Sequence, residues 1–158
     1  MRIALPAALV LAALLAAPAP ALAQEPPQIV NAWMRPAVPG STVDAYADIR
    51  TGVPLVLTGV KTASAARVDI VLMDPPGSGD LKVVPELALP AGQTRFALKG
   101  SVLRLVEVQA PLGNGDPVTL RFEFRDAAGR RSSVDAPVTV RGFAPAPPPP
   151  PIPPAPTS

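Results

Sequence analysis

The 158-residue chain contains no histidine and no cysteine. The first absence removes the commonest general base of enzymes and the commonest nitrogen ligand of transition metals. The second removes thiol nucleophiles, thiolate metal sites, disulfides and any lipid carried on a cysteine. Aromatic residues are scarce too: one Trp, one Tyr and four Phe. Charged residues make up only 16% of the chain, and no basic run is longer than Arg130-Arg131, so a nucleic-acid partner is not expected. The pI near 9.5 reflects arginine without histidine buffering. Catalytic motifs are missing as well. No serine sits in G-x-S-x-G and no glycine-rich loop could cradle phosphate, which argues against an enzyme. Asp44 and Asp48 are a carboxylate pair at strand spacing, with nothing apolar beside them in the pattern to tune an acid.

The first 23 residues set the expected compartment. Arg2 gives a positive start, an Ala/Leu/Val/Pro run follows, and Ala21-Leu22-Ala23 offers the small-x-small pattern of signal cleavage. Pro6, Pro18 and Pro20 interrupt the run, whereas a spanning helix wants about 20 unbroken apolar residues. Residues 1–23 are therefore expected to be a cleaved signal peptide. The mature chain is then expected to begin at Gln24, to be periplasmic, and not to insert in the membrane. Removing Arg2 leaves 13 basic against 12 acidic residues, a nearly neutral protein.

At the other end, residues 144–158 read A-P-A-P-P-P-P-P-I-P-P-A-P-T-S. Proline has a fixed φ and no amide hydrogen, so this segment is expected to be a disordered, solvated polyproline II tail. It serves as a stiff spacer, or as a ligand for an aromatic groove through its P-x-x-P repeats.

Between these ends, residues 24–143 have the pattern of a single all-β domain. Val118, Leu120, Phe122 and Phe124 alternate with Thr119, Arg121, Glu123 and Arg125, the period of a half-buried strand. Gly113-Asn114-Gly115-Asp116 supplies a tight turn before that strand. Further strands are expected near 29–33, 43–49, 55–60, 68–73, 81–84, 95–98, 102–108 and 133–140, with breaks at 75–79 and 90–92. Short strands at this spacing argue for a two-sheet Greek-key sandwich. Trp33, in a short apolar strand, is expected to plug the core between the sheets.

Several fragments in order carry a resemblance. They are I-V-N-A-W-M-R-P at 29–36, V-P-G from Val38, A-Y-A-D-I-R at 45–50, A-A-R-V at 65–68, L-P-A-G at 89–92 and P-L-G-N-G-D at 111–116, leading into V-T-L-R-F-E-F. Together they resemble the periplasmic copper chaperones of the PCu(A)C family over nearly all of the mature domain. The resemblance implies a cupredoxin-like β-sandwich. It also implies a Cu(I) site near one end of it, built from two His and two Met. Cu(I) is soft, and imidazole with thioether holds it while still allowing release. The family's ligand positions fall on Val71, Leu81, Val102 and Arg104. None of these side chains donates a lone pair to copper, and Arg104 places a fixed positive charge where a cation would sit.

The expectation is therefore a degenerate metal site, with no cofactor and no catalytic or metal residues. The chain would act as a non-catalytic binding or interaction domain whose partner is a periplasmic or envelope protein. The exposed end of the strand at 102–106 would be its apolar contact patch. One alternative keeps copper, with Met34 and Met73 or a partner supplying ligands; the other reading of these two methionines is apolar filling. A second alternative is a structural envelope module presented through the proline-rich tail. Asp69, Asp74 and Asp80 do not have calcium-loop spacing and are expected to decorate a solvated hairpin.

Overall fold

The computed structural model describes residues 24–142. The expected signal peptide and proline-rich tail lie outside the described residues. Ten strands follow in order: β1 Gln28–Met34, β2 Val43–Thr51, β3 Leu55–Lys61, β4 Ala65–Met73, β5 Leu81–Val84, β6 Leu87–Leu89, β7 Gly92–Phe96, β8 Val102–Val108, β9 Pro117–Arg125 and β10 Arg131–Val140. Their hydrogen-bonded order is β5-β4-β8-β2-β1-β10-β9-β3-β6, with β7 also on β2. A further pairing of β3 with β4, at Val60 opposite Val68, closes the sheet into a flattened barrel. The all-β, cupredoxin-like expectation is met. All pairings are antiparallel except β1 with β10, which run parallel at Trp33–Thr139 and Met34–Val140.

The strand alternation fills the interior as the pattern predicts. Val118, Leu120, Phe122 and Phe124 are all buried, and Leu103, Leu105 and Leu57 join them in the main core. Two strand expectations need correction. The strand placed at 95–98 is β7 Gly92–Phe96, because Gly92 adopts φ 113° and starts the strand instead of only ending a loop. β6 Leu87–Leu89 was not expected; three residues are too few to show a period.

Trp33 is the larger correction: its side chain does not plug the space between the sheets. The β1–β2 register steps from Val30–Asp48 to Trp33–Tyr46, so β1 carries one extra residue. Asn31 makes this bulge possible by adopting φ 54°, a left-handed conformation that asparagine tolerates. The extra residue reverses the strand's phase. Ile29, Ala32 and Met34 pack on the main core, whereas Trp33 belongs to a separate cluster with Tyr46, Val71 and Val102. Asn31 also donates from Nδ2 to Asp48 Oδ2 at 3.0 Å, tying the bulge to β2.

Candidate functional site

Each member of the Trp33 cluster is flanked in sequence by main-core residues: Met34 beside Trp33, Ala45 and Ala47 beside Tyr46, Ile70 beside Val71, and Leu103 beside Val102. Successive strand side chains point to opposite faces, so this cluster lies on the outer face of the sheet. The register lines it up in a row. Val83 on β5 opposes Val71 on β4, which opposes Val102 on β8. Ala45 opposes Leu103, so Tyr46 and Val102 come next along β2 and β8, and Tyr46 opposes Trp33 on β1. The row spans five strands. Val71, Val102, Tyr46 and Trp33 are at most 6% exposed, while Val83 at the β5 end is 59% exposed.

The aromatic end of the row is tightly built. The Trp33 and Tyr46 ring centroids are 4.5 Å apart at 30°. The Arg141 guanidinium sits 5.5 Å from the Trp33 ring centroid, a cation–π contact. Burial, reinforced by the neighbouring Asp44 carboxylate, pushes the Tyr46 phenol above its usual pKa and keeps it neutral.

A charged row runs beside the apolar one. Arg104 opposes both Asp44 on β2 and Asp69 on β4. Its Nε donates to Asp44 Oδ1 at 2.9 Å, and a terminal nitrogen donates to Oδ2 at 3.4 Å. That hydrogen bond raises the Arg104 pKa, with burial working against it, so the guanidinium stays charged. Asp69 accepts from Arg67 Nε at 3.1 Å. Asp48, 7% exposed, accepts from Asn31 and from Arg95 Nε at 3.0 Å. Asp44 and Asp48 are thus held by different arginines and do not form a carboxylate dyad.

The structure brings together the positions that the family resemblance singled out. Val71 and Val102 are direct cross-strand partners. Arg104 lies one alternation further along β8, and Leu81 opposes Met73, one alternation beyond Val71 on β4. The exposed apolar patch expected at the start of β8 is not there: Val102 is buried, and exposed apolar side chains lie instead at Leu81 and Val83 on β5. The two methionines do not converge. Met34 is fully buried in the main core, whereas Met73 shares the outer-face phase of Val71. Among the described residues, no three His, Cys, Asp or Glu side chains gather as a metal-binding group. Asp74 and Asp80 close the β4–β5 hairpin, with the Asp74 amide donating to the Asp80 carbonyl at 3.1 Å.

Sequence reasoning missed Tyr46 and Arg141. Tyr46 was legible as the large residue between Ala45 and Ala47, at the period that sends it outward. Arg141 carried no signal, because its position over Trp33 follows from the parallel β1–β10 pairing.

The model of the LpqE-like family, described as "Putative lipoprotein LpqE-like", matches residues 28–138. A search of curated proteins finds no match. Among solved structures, the apo PCuAC domain from PmoF1 is 18% identical, with a TM-score of 0.60 over 76% of this chain and 97% of that one. The copper-bound PCuAC domain from PmoF2 is 20% identical, with a TM-score of 0.55 over 75% and 97%. The solution structure of CuI-DR1885 from Deinococcus radiodurans is 27% identical, with a TM-score of 0.53 over 77% and 81%. These likenesses place the chain in the PCuAC fold.

Proposed function

Starting from the fact that this chain belongs to the LpqE-like family, we propose that it is an exported, copper-chaperone-like domain that has given up the Cu(I) site and works as a non-catalytic binding module in the periplasm. The observation that carries this reading is the pairing of Val71 with Val102 inside a buried apolar row, beside a charged Arg104 that is ion-paired with Asp44. Aliphatic carbon offers copper no lone pair, and a protonated guanidinium repels a cation. The copper named for PmoF2 and DR1885 supports descent from a copper-handling fold. The donor set of this chain does not fit the ion. The row ends in Val83, 59% exposed, with Leu81, 48% exposed, two residues before it on a strand that among the described residues pairs only with β4. An apolar strip on an open sheet edge suits contact with a protein of the cell envelope. The absence of histidine and cysteine supports a non-catalytic role.

Cu(I) titration under reducing conditions, against a competing chromophoric chelator, tests the reading. The expected result is no stoichiometric uptake at micromolar concentration. One-to-one uptake abolished by Met34→Leu or Met73→Leu would establish the methionine alternative instead.

A further inference from the structure

We propose that the open edge at β5 pairs with β5 of a second copy of this chain, antiparallel and centred on Leu81, to form a two-fold dimer. β5 stands at the end of the hydrogen-bonded strand order and among the described residues pairs only with β4. The Asp74 amide donates to the Asp80 carbonyl at 3.1 Å, which makes that pair a hydrogen-bonded rung. Rungs of an antiparallel ladder fall on alternate pairs. In the same register Lys82 and Val84 therefore bond to β4, and Leu81 and Val83 turn their amides and carbonyls to the open edge. The neighbouring Met73 amide agrees, since it points the other way and donates to Ser101 Oγ at 3.2 Å.

The side chains along this edge select the occupant. Asp80 and Lys82 flank the exposed Leu81, are themselves exposed, and form no ion pair among the described residues. Asp80 also faces Asp74 across the hairpin, a like-charge pair that lacks a counter-ion. In a two-fold antiparallel pair, opposed residues share a face. With Leu81 on the axis, Asp80 meets Lys82 of the second copy, and Lys82 meets Asp80 of the second copy. Two ion pairs form, and each brings a cation beside an Asp74–Asp80 pair. Leu81 meets its own equivalent through the open backbone groups, and Val83 lies opposite Gly79, which has no side chain to clash. Moving the axis by one residue sets Asp80 against Asp80 or Lys82 against Lys82. An axis at Val83 sets Leu81 against Pro85, which has no amide to donate. The edge is thus self-complementary in one register only. The inference shares with the preceding reading only the exposed edge, and copper titration does not bear on it.

The overlap is about five residues per copy, below the roughly 800 Å² per partner of a stable interface, so the dissociation constant should be on the order of 100 μM. Sedimentation equilibrium of the purified chain from about 10 μM to 1 mM tests this, and its weight-average mass should climb from the monomer value towards twice that value. Asp80→Lys sets base against base at both flanking pairs, and Lys82→Asp sets acid against acid. Each variant alone should dissociate at a concentration about tenfold or more higher than the parent. Mixed in equal amounts, the two variants restore opposite charges at both pairs, so the mass should recover. The double variant Asp80→Lys, Lys82→Asp should recover it as well. Circular dichroism matching the parent's confirms that each variant is folded. A parent that stays monomeric at about 1 mM overturns the proposal and leaves the edge to a different protein. Single variants that associate like the parent, or a mixture that does not recover, overturn it too.

Discussion

Trp33 and Met34 are neighbours in the chain and lie on opposite faces of one sheet. Met34 joins a sealed interior with Phe122, Phe124, Leu103 and Leu105, each essentially inaccessible. Trp33 joins a one-layer row with Tyr46, Val102 and Val71, which opens at Val83. The inner region holds the fold together by volume filling and asks only for apolar side chains of the right size. The outer row is not needed to fill a core. It holds Val71 and Val102, two of the positions that the family resemblance singled out, so the proposed function turns on its composition.

The largest expected effect separates the two regions by stability. Phe122→Ala should cost about 3–5 kcal/mol, the usual range for emptying a large ring from a packed core. Trp33→Ala should cost about 2–3 kcal/mol, because its ring packs on one side of a sheet only. Urea unfolding of both variants checks the order; equal losses would mean that the outer row is as much core as the inner one.

The bulge that separates Trp33 from the interior gives a finer test. Asp48→Ala removes the acceptor that holds Asn31 and Arg95, at a cost of about 1 kcal/mol. It should also loosen the phase reversal at Asn31, so the Trp33 emission maximum should shift to the red in the folded variant. An unchanged spectrum would show that backbone pairing alone sets the bulge.

This bulge also marks how far the sequence could be read. The strands at Val102–Val108 and Pro117–Arg125 were legible because charges and apolar residues alternate without interruption. β1 was legible as a strand, but the face of Trp33 was not. A single inserted residue inverts the alternation, and only asparagine's tolerance of positive φ hinted at it. The four ligand positions were legible through the resemblance. That Val71 and Val102 share a row, with Arg104 and Leu81 in the rows on either side, depends on the β4–β8 and β4–β5 registers, which no local pattern encodes. The ion pair of Arg104 with Asp44 spans 60 residues and was invisible for the same reason.

The smallest effect is on pH dependence. The chain has no histidine, so apart from the α-amino group no side chain of ordinary pKa titrates between about pH 5 and 8. Asp126 is held below the usual carboxylate range first by the Arg130 backbone amide, and Asp135 first by its hydrogen bond from Arg121. Groups depressed on folding stabilise the protein above their unfolded pKa, about 4, and that contribution is lost as pH falls through the lower folded values. The urea midpoint should therefore be flat from about pH 5 to 8 and fall below about pH 4. Asp126 and Asp135 sit on the β9–β10 hairpin, away from the outer row, so Asp135→Asn should weaken the acid dependence without changing Trp33 emission.

Side-by-side Cu(I) titration of the parent chain and the fourfold variant Val71→His, Leu81→Met, Val102→His, Arg104→Met puts the outer row itself to the test. If aliphatic and guanidinium side chains have replaced a metal site, the parent takes up no ion and the folded variant takes up one per chain. Stoichiometric uptake by the parent, or none by a variant whose circular dichroism matches the parent's, would contradict the account.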